Sequence, residues 1–157
     1  MTTHHIRSTL SSPDATAKTA QSMAEHLKPG DVLLLEGGIG AGKTHFARSL
    51  IQSLQDVPED VPSPTFTLVQ VYDTPKGEVW HTDLYRIGSA DDCVELGLTD
   101  AFESAICLVE WPDKLADLTP PNALHLHLID SHQDDRRDLI YTWSDPRWTD
   151  VVNGLTS

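Results

Sequence analysis

Gly37-Gly38-Ile39-Gly40-Ala41-Gly42-Lys43-Thr44 decides how this chain folds. The apolar run Val32-Leu33-Leu34-Leu35 precedes it, and Phe46, Ala47, Leu50, Ile51 and Leu54 follow at the spacing of one helical face. Strand, glycine-rich turn and helix thus come in the order a phosphate-binding loop needs. Small residues let backbone N–H groups close around phosphate oxygens, and the helix that begins there aims the positive end of its dipole at the same charge. Lys43 would reach the β- and γ-phosphates, and the Thr44 hydroxyl would be a ligand of Mg²⁺. The plainer alternative is a glycine-rich link between strand and helix, and a match of this length in the right context argues against it. The reading is a chain that binds a nucleoside triphosphate with its magnesium.

The totals set bounds around that loop. A chain of 157 residues suits one domain, 1–157, with a core that needs no staples. No apolar run approaches the ~18 residues of a membrane span, and the N-terminus lacks the basic and apolar regions of a signal peptide. Cys93 and Cys107 do not form a C-x-x-C pair, so neither a metal site nor a disulfide framework is indicated, and a cytoplasmic location with reduced thiols is expected. With 24 acidic against 11 basic residues the net charge is −13. Such a surface repels a polyanion, so work on RNA would go through a more basic partner; acidity that merely aids solubility is the simpler account.

His4 to Leu10 reads as a strand. Ser12-Pro13-Asp14 then reads as an N-cap, a first-position proline and an acid in the first turn. Ala17, Ala20, Met23, Ala24 and Leu27 continue that helix until Lys28-Pro29-Gly30, with Thr16 placed to lie near a nucleotide base. The proline-rich segment from Gln55 to Pro64 is either a switch that senses the γ-phosphate or a stiffened surface loop. Thr67–Asp73 and Glu78–Asp83 read as an antiparallel hairpin about Thr74-Pro75-Lys76-Gly77. Ser89-Ala90-Asp91-Asp92 reads as a capping box that opens a short helix ending at Gly97. Ala105 to Val109 is a strand buried on both faces, 124–129 and 139–143 are half-buried strands, and Asp145-Pro146 starts a last helix that buries Trp148, Val151, Val152 and Leu155. His125 and His127 share a strand face but have no third ligand at a recognisable spacing, which favours a solvent-side pair over a metal site. The expected fold is α/β: one phosphate-loop NTPase-like domain with a central, mostly parallel sheet flanked by helices, and an antiparallel hairpin attached.

A phosphate loop needs a second acid at the end of a neighbouring strand to hold Mg²⁺, directly or through water. Glu110 closes the most buried strand and is assigned to the metal. Asp83, at the end of the hairpin, is assigned to the attacking water or a water of the metal shell; pairing with Arg86 is the alternative. Trp111 reads as core packing in preference to a partner contact. No Asn-Lys-x-Asp segment is present to read guanine, and few basic residues between 55 and 110 are available to clamp a second phosphorylated substrate. Hydrolysis of ATP coupled to a protein partner fits better than transfer to a small acceptor.

Taken together, 37–44, Ser63-Pro64-Thr65-Phe66-Thr67-Leu68, His81-Thr82-Asp83-Leu84-Tyr85-Arg86, Glu95-Leu96-Gly97 and Leu108-Val109-Glu110-Trp111-Pro112 resemble the TsaE (YjeE) family of bacterial ATPases required for tRNA threonylcarbamoyladenosine biosynthesis. The resemblance runs from about Ser12 to Trp143. It implies ATP and Mg²⁺ as cofactors, with Gly38, Ile39, Gly40, Ala41, Gly42, Lys43, Thr44 and His45 around the nucleotide and Thr44 and Glu110 on the metal. It places Thr65 in a switch-like segment and makes Lys43, Thr65, Asp83 and Glu110 the catalytic set, with Arg136 or Arg137 as a basic residue near the nucleotide. It also implies weak activity alone, stimulation on docking to a complex of TsaD and TsaB, and contact with tRNA (of the ANN-decoding class) only through that complex. Two positions depart from the family pattern: Gly38 stands where Asp is usual and His45 where Thr is usual. A phosphate-loop kinase acting on a small acceptor, with Asp83 as base, and a nucleotide-dependent assembly factor for which hydrolysis is incidental remain as alternatives.

Overall fold

The computed structural model describes residues 2–38, 41–64, 67–130 and 136–156. Seven strands form one sheet in the order β1-β7-β6-β2-β5-β4-β3. They are β1 (His4–Leu10), β2 (Val32–Glu36), β3 (Val69–Thr74), β4 (Gly77–Asp83), β5 (Ile106–Glu110), β6 (Leu124–Asp130) and β7 (Arg137–Trp143). The helices are α1 (Pro13–Glu25), α2 (Lys43–Leu54), α3 (Ala90–Glu95), α4 (Leu98–Ser104) and α5 (Arg147–Thr156), with a 3₁₀ segment over Pro112–Leu118. Among the described residues no helix is long and apolar enough to cross a membrane.

The sheet is mixed, which corrects the expectation of a mostly parallel one. β6, β2, β5 and β4 run parallel at the centre, but β1–β7, β7–β6 and β4–β3 are antiparallel, so both margins reverse. Connection length is the physical reason. Parallel neighbours need a crossover long enough to hold a helix, whereas β3–β4 and β6–β7 are joined by short links that force the chain straight back. Only β2 and β5, at the centre of the parallel set, are buried along nearly their whole length, as their continuous apolar runs require.

Two apolar layers sandwich the sheet. On one face Met23, Phe46, Leu50, Ile51, Trp148 and Val152, from α1, α2 and α5, with Leu27 just after α1, pack on Leu33, Leu35, Leu108 and Leu126. On the other, Cys93, Leu98, Phe102 and Leu115 pack on Val32, Leu34, Cys107 and Val109. Ser12 caps α1 as expected, its Oγ accepting from the Ala15 N–H at 3.1 Å. Ser89 precedes α3 in extended conformation, but its side chain makes no cap bond, so the capping box does not form. Gly97 ends α3, as expected, and also opens a second helix. It turns left-handed (φ 83°) and starts α4, a helix of seven residues whose apolar positions are too few to show a period.

Candidate nucleotide-binding site

β2 ends beside β5, and among the described residues of the turn from it into α2, Gly37 (152°) and Gly42 (103°) have positive φ. Gly37 has no room for a side chain, since a Cβ there would lie 2.6 Å from the Leu128 carbonyl oxygen of β6. Within the turn the Ala41 N–H donates to the Gly38 carbonyl at 3.1 Å, and the Phe46 N–H donates to Gly42 at 2.9 Å as α2 begins. Ile39 and Gly40, both expected at the nucleotide, lie outside the described residues.

Lys43 and Thr44, the first two residues of α2, point in different directions. The Lys43 ammonium donates to the Gly37 carbonyl at 2.6 Å and sits 3.5 Å from the centroid of the Trp111 ring, a cation–π contact. Burial lowers its pKa from the ordinary lysine value, while the carboxylates of Glu110, Asp83 and Asp113 pull it back up. The Thr44 hydroxyl is 3.2 Å from each carboxylate oxygen of Glu110. Glu110 is the last residue of β5 and is 2% exposed. Its Oε2 accepts a second bond, 2.6 Å long, from the Nε2 of His81 on β4.

Asp83 ends β4 directly opposite Glu110 in the parallel register and is itself buried. Its Oδ1 accepts from the Tyr85 N–H at 2.9 Å, and its own N–H donates to the Leu68 carbonyl. Leu68 (φ 68°) and Trp111 (φ 59°) both hold left-handed backbone, so a strained residue stands beside each acid, as is common where a site demands a particular geometry. Leu68 also ties this corner to the proline-rich connection, because its N–H donates to Pro64 at 2.7 Å. Earlier in that connection Arg48 holds the Val61 carbonyl and Gln52 holds the Glu59 carbonyl, so α2 pins its first half. Thr65 lies outside the described residues.

A cleft opens at each end of the glycine turn. One, of about 340 Å³, lies between Glu36, Gly37 and Gly38 on one side and Trp111, Pro112 and Asp113 on the other. The smaller, of about 140 Å³, is lined by Pro13, Thr16, Gly42, His45 and Arg137. His45 Nε2–H donates to the Pro13 carbonyl at 3.0 Å, which ties α2 to the start of α1. Arg137 Nε–H donates to the Ala41 carbonyl at 3.1 Å. Of the two neighbouring arginines Arg137 therefore touches the described part of the loop; the Arg136 side chain is exposed, and its charge acts on Asp138.

Comparison with known proteins agrees with this geometry. The family model described as threonylcarbamoyl adenosine biosynthesis protein TsaE matches residues 10–139. This chain belongs to the TsaE family. It is 39% identical to the tRNA threonylcarbamoyladenosine biosynthesis protein TsaE of Rickettsia prowazekii over 76% of this chain and 83% of that protein. It is 37% identical to the protein of the same name from Bacillus subtilis, over 83% and 80% of the two chains. The crystal structure of Bacillus subtilis YdiB superposes with a TM-score of 0.80 at 29% identity, covering 99% of this chain and 96% of that one.

Of the TsaE residues expected at the site, Lys43, Thr44, Asp83 and Glu110 converge where β2, β4 and β5 end. The donors fit a magnesium ion, which prefers hard oxygen ligands: a threonine hydroxyl and a carboxylate already in contact, with a second carboxylate beside them. His125 and His127 are not part of it. His125 lies 3.9 Å from Glu36; His127 is exposed and lines the larger cleft beside Gly37 and Gly38 without joining the acids, and among the described residues no group of three His, Cys, Asp or Glu could hold a metal. Sequence reasoning missed two contributors. Trp111, read as core, packs partly on the second apolar layer but turns its ring under Lys43 and against Tyr85, 4.9 Å between centroids. His81 stands two residues before Asp83 on one strand, which puts both side chains on the same face; that spacing was the available signal.

Proposed function

We propose that this TsaE-family chain is a magnesium-dependent ATP hydrolase serving tRNA threonylcarbamoyladenosine biosynthesis in the cytoplasm, weak alone and stimulated by a complex of TsaD and TsaB homologues. The observation that carries it is the contact between Thr44, at the N-terminus of α2, and Glu110, at the end of β5, beside the buried ammonium of Lys43. In such a site Lys43 would leave the Gly37 carbonyl for the phosphates, and Trp111 would keep its ammonium near the loop meanwhile. Thr44 and Glu110 would hold Mg²⁺, and the ion would supply positive charge against the phosphates. Two buried acids beside a triphosphate would repel it without a divalent cation between them, so the acidity of the corner supports the same reading. Asp83 would accept a hydrogen bond from the attacking water and so orient it toward phosphorus. The small cleft between Thr16 and Arg137 is the place for the base, since it opens on the helix side of the glycine turn. The net charge of −13 favours a role through partners over direct contact with tRNA.

The test is phosphate release from ATP, with and without TsaD–TsaB, for the wild type, Lys43→Ala and Glu110→Ala. Each variant should lose the stimulated rate. Undiminished release in either rejects its assignment, and ADP formation that depends on an added small acceptor would point to a kinase.

A further inference from the structure

We propose that His81 is a positioning residue for the metal-binding carboxylate: its Nε2–H fixes the rotation of Glu110 so that Oε1, the oxygen not engaged by the imidazole, faces Thr44 and the cation. This rests on the magnesium reading above and adds to it a residue outside the expected catalytic set. His81 is wholly buried, and it sits in the middle of β4 opposite Leu108. Its strand neighbours on that face are Val79 and Asp83, so the ring lies between the apolar layer and the acidic corner.

As core filling this imidazole is a poor choice. Its Nδ1 has no hydrogen-bond partner among the described residues, and a buried, unpaired polar atom costs about 1–3 kcal/mol. An apolar side chain of similar size would avoid that cost. What the ring does make is one short bond, to Glu110 Oε2. An ionised carboxylate only accepts, so Nε2 carries the donated hydrogen.

The geometry of the other contact shows why that bond matters. Thr44 Oγ1 is equidistant from the two oxygens of Glu110, 3.2 Å from each, so its hydroxyl cannot tell them apart or stop the carboxylate turning. His81 breaks the tie. At 2.6 Å it engages Oε2 alone and leaves Oε1 and the outer lone pair of Oε2 directed at the threonine. Partners that orient a metal ligand in this way are typically worth about 10- to 100-fold in metal affinity or activity.

The experiment separates nucleotide binding from the gain that metal adds. A non-hydrolysable ATP analogue is titrated calorimetrically into the wild type, His81→Leu and His81→Gln, once with Mg²⁺ and once with EDTA. Electron paramagnetic resonance of Mn²⁺ bound to the analogue-loaded protein gives a second readout. His81→Leu should bind the analogue in EDTA as the wild type does and lose about 10-fold or more of the gain from Mg²⁺. His81→Gln keeps an N–H donor at similar reach and should recover most of it. Urea denaturation shows which variants are folded, and His81→Met takes the place of His81→Leu if that variant is not. An equal Mg²⁺ gain in all variants overturns the inference, as does equal weakening with and without metal, which would mark a merely structural residue. A wild type that binds no better with Mg²⁺ rejects the metal reading itself and this inference with it.

Discussion

Gly37→Ala, set beside Gly38→Ala, probes whether the glycine turn is held by the sheet or only by its own backbone. At Gly37 a new Cβ would lie 2.6 Å from the Leu128 carbonyl oxygen and 3.0 Å from the Ala41 Cβ, both fixed parts of the fold. A carbon and a carbonyl oxygen in contact settle at about 3.3 Å, so turn and β6 must part by about 0.7 Å. Overpacking of that kind costs about 1–3 kcal/mol. The positive φ of 152° adds about 1–3 kcal/mol for any residue with a Cβ. Together these come to about 2–6 kcal/mol, a large share of the stability of an ordinary domain. At Gly38 a Cβ meets nothing within 4 Å, so its alanine should cost less than about 1 kcal/mol. Urea denaturation and calorimetric titration with the ATP analogue read both. Gly37→Ala should lose stability, or trade it for a displaced turn and weaker nucleotide binding, while Gly38→Ala changes little in stability. If Gly37→Ala matches the wild type in both measurements, the close approach of turn and β6 is not what holds the loop.

Further expectations concern the rest of the molecule. Arg147 bonds Asp31 through Nε at 2.8 Å and again through Nη2, and Asp31 is 2% exposed, so Arg147→Met strands a buried carboxylate. The loss should be about 3 kcal/mol by urea denaturation, and a loss under about 1 kcal/mol would show that the Lys28 N–H and water suffice for Asp31. Burial pushes the Cys107 thiol up to about 12 and also raises that of Cys93, with Asp92 adding to the rise. A thiol reacts as its thiolate, so at pH 8 neither cysteine should react with a disulfide reagent in the native protein, and both should once guanidinium unfolds it. A fast-reacting native thiol would contradict the packing of β5 and α3.

The parts of the site that were legible are those whose chemistry is local. A phosphate loop is one continuous stretch, so spacing alone placed Lys43 and Thr44 at the start of α2. Glu110 could be read because an acid that ends a fully apolar run must lie at a strand's C-terminal end, and Asp83 because it ends a hairpin strand. The margins of the sheet were not legible in the same way. Nothing in the alternation of β6 or β7 states which strand will lie beside which, because pairing is a choice among edges made when the whole sheet assembles.

The sequence by itself therefore determined the class of fold, the glycine turn and the two acids, since each is written in neighbours along the chain whose spacing has one physical meaning. Only the tertiary structure decided that Trp111 lies under Lys43, that Arg137 holds the Ala41 carbonyl of the turn, and that His81 grips Glu110. Those contacts join residues 29 to 96 positions apart, and they exist only because separate strands end on the same side of one sheet. No periodicity within a segment encodes which side chain meets which across strands.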